Sequence, residues 1–158
     1  MSLGIVLLVT VVIGVVSGLR AFTGVAAVAW AAHLGWIHLG GSPLSFIGAA
    51  WAVGLFTLLA LVEYVTDQLP KTPSRTVPMQ LGARLLFGIL AGACLAIAGA
   101  ASVVLGIVCA VLGVLIGTFG GHRARVGLVK SLNVRDIAIA IPEDLIAIGL
   151  AYWAVSRL

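Results

Sequence analysis

The chain has 158 residues, of which 62% are hydrophobic and only 9% are charged. Because a typical soluble domain is about a quarter charged, this composition excludes an ordinary water-soluble fold and is typical of an integral membrane protein. The net charge of +4 comes from basic residues between apolar runs, without the aromatic and basic surface that reads bases, so we expect no nucleic-acid partner.

Six apolar runs, separated by glycine, proline and charged residues, account for most of the chain. A helix needs about 20 apolar residues to cross a bilayer, so a chain of this length holds about six crossings. We therefore predict an all-α, polytopic transmembrane bundle of about six short helices, in a single domain over residues 1–158. The predicted spans lie near residues 3–17, 20–36, 45–66, 80–99, 101–119 and 137–156.

The first two runs are short and meet at the sequence Ser17-Gly-Leu-Arg20. They form either a helix hairpin or one long kinked helix that contains Arg20. We favour the hairpin, because the charges of the chain then sort to one side of the membrane. No basic segment precedes the first run, so we expect a retained span and not a cleaved signal peptide.

The third run ends with two carboxylates, Glu63 and Asp67, which are four residues apart and share one face of a helix. Like charges repel there, and the negative end of the helix dipole adds to the cost. These acids need cationic partners. Arg20 and Arg84 begin the second and fourth spans at the same membrane level, so they are the natural candidates, and Lys71 and Arg75 lie close in sequence.

The segments 17–35 and 81–99 align without gaps and share the pattern Gly-x-Arg-x-x-x-Gly. This match indicates parallel helix-hairpin repeats, which occur in some small transporters. Glycine and alanine are abundant in the chain, so chance similarity explains the match equally well.

Several glycines recur at four-residue spacing, which predicts close packing between helices in lipid. These glycines are Gly14 and Gly18, Gly88 and Gly92, and Gly113, Gly117 and Gly121. Glycine ridges that face lipid would favour a homo-oligomer, so we also expect self-association.

The fifth run ends in Gly117-Thr-Phe-Gly-Gly-His-Arg-Ala-Arg125, where the glycine pair predicts a helix stop. The cations that follow either anchor the cytoplasmic side or bind the phosphate of an anionic lipid headgroup. The candidates for anion or lipid-headgroup binding are Lys71, Arg75, His122, Arg123, Arg125 and Lys130.

The sixth run contains two adjacent acids, Glu143 and Asp144, directly after Pro142. In one interpretation a helix begins at Pro142 and carries the acids in its first turn. In the other, residues 137–141 form a broken segment that places the acids beside a polar cavity, where ionisable groups mark transport pathways. The candidate charged pathway then comprises Arg20, Glu63, Asp67, Arg84, Glu143 and Asp144.

The basic residues predict the orientation of the chain in the bilayer. If the N-terminus is extracytoplasmic, eight of the nine Lys and Arg residues fall at the cytoplasmic side and only Arg157 falls outside. Trp36, Trp51, Tyr152 and Trp153 then lie towards the outer interface, which amphipathic rings prefer. We therefore expect both termini outside.

Signatures of catalysis, metal binding and cofactor binding are missing from the sequence. It has no His-Glu-x-x-His, no Gly-x-Ser-x-Gly and no Walker loop, so we expect neither a catalytic residue nor an enzyme. The two cysteines and three histidines lack metal-binding spacing, and we expect neither a metal nor a cofactor.

Several motifs together resemble a known family. They are Ser17-Gly-Leu-Arg-Ala-Phe, Glu63-x-x-x-Asp67-Gln-Leu-Pro70, Lys71-Thr-Pro-Ser-Arg-Thr76, the segment Gly117–Arg125 and Glu143-Asp144-Leu-Ile-Ala-Ile-Gly149. The chain is similar over nearly its whole length to small bacterial integral membrane proteins grouped as domain of unknown function 4126. The resemblance implies a bacterial inner-membrane location and no particular activity.

Two functions fit these observations. The first is a small transporter, or a subunit of one, for an ion or small solute, with its path gated by the charged cluster near the cytoplasmic face. The second is a protein without transport activity that binds anionic lipid headgroups through its basic loops or supports another membrane complex. An enzyme that uses the acids as general acid and base ranks third.

Overall fold

The computed structural model of the chain describes residues 2–68 and 76–158, and the described residues form helices and connections without a β-strand. Seven α-helices follow one another, together with a short 3₁₀ helix over Pro43–Gly48 and a π-helical turn over Ile116–Gly120. The α-helices are α1 Leu3–Leu19, α2 Ala21–His33, α3 Ala50–Thr66, α4 Pro78–Ala98, α5 Val103–Leu115, α6 Gly121–Leu132 and α7 Asp136–Val155.

Three helical segments of the described chain are long and apolar enough to cross a membrane: α4, the continuous helix Val103–Leu132 and α7. The helices α1, α2 and α3 are equally apolar but shorter, with 17, 13 and 17 residues. Each predicted apolar run therefore contains a helix. The run 45–66 differs most, because its first residues belong to the 3₁₀ helix, and α3 begins only at Ala50.

The predicted helix stop after the fifth run is wrong. The chain continues from α5 through the π-helical turn into α6, because Gly120 and Gly121 adopt right-handed helical angles and no positive φ ends the helix there. The resulting helix has 30 residues, which is about 45 Å at 1.5 Å per residue. It ends at Asn133, whose φ of 50° is left-handed.

The predicted behaviour of Pro142 is also wrong in both of its versions. The helix α7 begins at Asp136, six residues before the proline, and continues without a break to Val155. Pro142 therefore neither starts the helix nor ends a separate broken segment over 137–141. Glu143 and Asp144 lie near the middle of the helix and not in its first turn.

The helix α1 is the centre of the bundle and packs on α4, α5 and α7. Its crossing with α5 is close enough that a Cβ atom on Gly113 would lie 2.2 Å from the carbonyl oxygen of Val11. A Cβ on Gly14 would likewise lie 2.3 Å from the carbonyl oxygen of Ala110. The predicted glycine spacing is thus used between helices of one chain, and these two glycines do not face lipid.

The helix α3 packs mainly on α2, whereas α4 packs on α1 and α5. The structure does not show the predicted helix-hairpin repeats. Two hydrogen bonds fix α2 and α3 as antiparallel neighbours: Thr23 with Tyr64, and the Trp30 indole N–H with Thr57.

Candidate functional site

The site is built at the junction between α1 and α2, where one extended residue separates the two helices. Arg20 has φ −140° and ψ 114°, and its backbone N–H still bonds to the carbonyl oxygen of Val16 at 2.7 Å. The chain turns back here, since Gly24 in α2 packs against Ser17 and Ile13 in α1. The structure has the predicted hairpin and not a single kinked helix.

Glu63 accepts the first free N–H groups of α2. Its Oε1 bonds to the N–H of Ala21 at 2.7 Å, and its Oε2 bonds to the N–H of Phe22 at 3.0 Å. These donors have no partner inside their own helix, and the positive end of the α2 dipole favours a negative charge at this place. A side chain from α3 thereby caps α2.

Arg84 caps the C-terminal end of α1, where it donates to a free carbonyl group. Its guanidinium, from α4, donates to the carbonyl oxygen of Gly18 at 2.9 Å, and the hydroxyl of Thr118 donates to the same oxygen at 3.2 Å. A cation at the negative end of a helix dipole is favourable. Arg84 also lies 3.7 Å from a carboxylate oxygen of Glu63, so the two capping side chains form an ion pair.

Arg20 itself links α3 and α7. Its guanidinium binds Asp67, and its Nε donates to Oδ1 of Asp144 at 2.5 Å. The same guanidinium lies 5.9 Å from the centre of the Tyr64 ring, within the range of a cation–π interaction. Arg20 and Arg84 are 0% and 1% exposed, so both cations are removed from solvent.

We call Arg20, Glu63, Asp67, Arg84 and Asp144 the inner cluster. The structure thus brings together five of the six residues of the predicted charged pathway. Among the described residues of the cluster, three carboxylates face two guanidinium groups, so these five side chains carry a formal charge of −1. Desolvation makes any uncompensated charge among them costly.

Glu143, the sixth predicted residue, belongs elsewhere. Its carboxylate bonds to Arg125 of α6 at 3.3 Å, and the Nε of the same Arg125 donates to Asp136 at 2.8 Å. We call Arg125, Asp136 and Glu143 the outer cluster. Arg125 therefore holds α6 against α7, and it is already engaged by acids where the sequence predicted anion binding.

The other predicted anion-binding residues are distributed differently. Arg123 and Lys130 are exposed on α6, and His122 is half-buried on the same helix. Lys71 and Arg75 lie outside the described residues. Within the described ranges 2–68 and 76–158, no group of three or more His, Cys, Asp or Glu side chains could hold a metal ion.

Four further residues lie at these clusters that the sequence did not indicate as site residues: Asp136, Tyr64, Thr23 and Thr118. The position of Asp136 could have been predicted, because an acid directly before an apolar run is typical of a helix N-terminus. The three hydroxyl residues are ordinary in an apolar helix, and only tertiary packing places them beside the cluster.

Comparison with known proteins identifies one family. A family model described as "Domain of unknown function (DUF4126)" matches residues 7–157. No curated protein and no solved structure matches the chain. Since the match covers almost the entire sequence, including all five residues of the inner cluster, the chain belongs to this family of domains of unknown function.

Proposed function

We propose that this protein is a polytopic membrane transporter for a small cation or cationic solute, with the inner cluster as the gate of its path. The proposal includes six membrane crossings, by α1 to α4, the α5 end of the long helix, and α7. It also includes the bacterial inner membrane and extracytoplasmic termini. The observation that carries it is the buried inner cluster, in which the described residues contribute three carboxylates and two guanidinium groups.

The lengths of the helices support a position for the cluster inside the membrane. From the junction at Arg20, α2 extends for only 13 residues, or about 20 Å. The hydrocarbon core of a bilayer is about 30 Å thick. If the far end of α2 reaches the opposite interface, the cluster at its base lies within the hydrocarbon core, where ionisable groups are costly and mark ion pathways and proton relays.

The connections of Arg20 support its role as a gate. The residue lies between α1 and α2, and its two carboxylate partners come from α3 and α7. A solute that neutralised either carboxylate would weaken the hold of Arg20 on that helix. Binding of a cation and movement of a helix are therefore coupled through the same ion pairs.

Flux through reconstituted protein tests this function. Proteoliposomes that contain a pH-sensitive dye are given a proton gradient, and sodium, potassium and alkylammonium salts are added separately. We expect at least one cation to dissipate the gradient through exchange for protons. Asp144→Asn should lower that rate about tenfold or more, because it removes a buried, hydrogen-bonded charge.

Asp136→Asn is the matched control, since it removes the same charge from the same helix but from the outer cluster, and its flux should stay within about twofold of the wild type. If folded wild-type protein exchanges none of these cations, the proposal fails. It also fails if the two variants transport equally well.

A second function, binding of anionic lipid headgroups, is favoured by the position of α6. The long helix is about 45 Å, so its last third extends beyond a core of about 30 Å. Arg123 and Lys130 are seven residues apart and share one exposed face of α6. Loss of co-purified anionic lipid in Arg123→Gln/Lys130→Gln, with unchanged flux, would support a separate headgroup site.

A further inference from the structure

An apolar groove of about 360 Å³ lies between α2, α3 and α7. Alanines make room for it, among them Ala27, Ala31, Ala60 and Ala151, and Trp36 and Tyr152 stand at its far end. Along α2 its lining extends from Thr23 to Leu34, which is about 16 Å at 1.5 Å per residue. The volume is within the range of about 300–1,000 Å³ that is usual for small-molecule sites.

The groove ends close to the inner cluster. On α3 and α7, the groove-lining residue nearest the charged end is about one helical turn from a carboxylate of the cluster, and on α2 it is three residues from the extended Arg20 that precedes the helix. Thr23 is followed by Arg20 towards that end, Tyr64 by Asp67, and Ile148 by Asp144. The groove therefore ends about one helical turn from the inner cluster, whose charged residues are not among those that line it.

Near the charged end of the groove, the carboxylates of Asp67 and Asp144 are partly exposed, and the guanidinium of Arg20 is not. The side chains of Asp67 and Asp144 are 14% and 12% exposed, whereas that of Arg20 is fully buried. The Tyr64 hydroxyl bonds to Thr23 at 2.7 Å at the groove end, and its ring lies beside Arg20. A ligand whose head extends about one helical turn beyond the end of the groove would meet partly uncovered negative charge.

We propose that the ligand of this site is a lipophilic monocation, whose apolar part lies in the groove and whose charged head neutralises Asp67 and Asp144. The proposal specifies the class of cation for the proposed transporter. Only the statement that this cation is transported rests on the proposed function; the statement that it binds does not. The alternative occupant, the acyl chain of an anionic phospholipid, would bring a phosphate against two carboxylates, and like charges disfavour it.

Binding to the purified full-length protein in neutral detergent tests the inference without requiring transport. The probes are decyltrimethylammonium and decyl sulfate, which have the same chain and opposite head charges, and calorimetry measures their affinities. We expect saturable binding of the cation at one site and affinity for the anion weaker by about tenfold or more. Equal affinity, or preference for decyl sulfate, would overturn the proposal.

Two kinds of variant locate the site. Asp144→Asn should weaken the cation about tenfold by removing its charge partner. Ala27→Leu leaves the ion pairs intact and fills the groove, so it should weaken binding by a similar factor. Ala138→Leu, at an exposed position of α7 away from the groove, is the matched control. Circular dichroism and gel filtration check folding.

The outcomes separate the ligand class from the function. Cation binding that Ala27→Leu does not change would overturn the groove as the site, even if Asp144→Asn failed to fold. Exchange of sodium or potassium in proteoliposomes, together with no saturable binding of decyltrimethylammonium, would retain the transporter and reject the ligand class. Saturable binding without any flux would retain the ligand site and reject transport.

Discussion

Arg20→Gln removes the cation that joins α3 and α7, so it provides the sharpest test of the inner cluster. The arginine is fully buried and is bound to two carboxylates, so its loss removes the guanidinium that pairs with Asp144, leaves Asp67 with Arg84 at 3.7 Å, and changes the formal charge of the five described side chains from −1 to −2. Breaking a buried ion pair by removal of one partner costs about 3–5 kcal/mol. We therefore expect a decrease in the free energy of unfolding of this size.

The double variant Arg20→Gln/Asp144→Asn shows whether unpaired charge causes the loss. It restores the cluster to a charge of −1, because one carboxylate is removed together with one guanidinium. We expect the double variant to be more stable than Arg20→Gln alone by about 1–3 kcal/mol, which is a typical coupling energy for residues in one network.

Equilibrium unfolding of the purified protein by a denaturing detergent, followed by circular dichroism, measures both quantities. The wild type and the Asp144→Asn single variant complete the double-mutant cycle. A cost for Arg20→Gln below about 1 kcal/mol, the value of an exposed surface pair, would refute the reasoning. So would strict additivity of the two substitutions.

Three further variants test other parts of the structure. Glu63→Gln keeps one acceptor oxygen but loses the charge that caps α2, so it should lower stability by about 1–2 kcal/mol in the same unfolding assay; an unchanged unfolding midpoint would contradict the cap. Gly113→Ala should cost about 1–3 kcal/mol because the new Cβ meets backbone atoms of α1, whereas Gly82→Ala, with no heavy atom within 4 Å, should be neutral or stabilising. Arg125→Gln should speed hydrogen exchange across α6, and the exposed Arg123→Gln should not; equal exchange in both would argue against the outer cluster as the attachment of α6.

The partners of Glu63 and Asp67 could be predicted from the sequence, for a simple physical reason. Few cations interrupt the apolar runs, and a charge in an apolar bundle must be paired. Arg20 and Arg84 were the cations at the same level, so their selection followed from hydropathy and helix order. The capping roles of Glu63 and Arg84 did not follow, because the sequence did not show where α1 ends and α2 begins relative to α3 and α4.

The different partners of Glu143 and Asp144 could not be predicted from the sequence. Adjacent residues in a helix point about 100° apart, so two neighbouring acids rarely reach the same partner. The two acids were predicted to act as a pair because both were expected at a helix end. Once Pro142 lies inside α7, the two carboxylates face different helices, and only the packing of α6 decides that Glu143 meets Arg125.

The groove and the helix α6 could not be predicted from one sequence, because both depend on tertiary packing. Alanines in α2, α3 and α7 form a groove only because the three helices meet side by side. Gly120-Gly121 is a frequent stop signal, yet both residues are helical here, since the packing of the π-helical turn on α1 carries the chain onward. Tertiary contacts overrode the local preference.

The adjacency of Glu143 and Asp144 makes α7 a single mechanical link between the two clusters. One carboxylate holds the helix to Arg20 in the bundle interior, and the next holds it to Arg125 on the protruding helix. A rigid roll of α7 that carries Asp144 away from Arg20 also swings Glu143 relative to Arg125. Rotation of α7 about its axis therefore changes the ion pair of Asp144 with Arg20 and the ion pair of Glu143 with Arg125 at the same time.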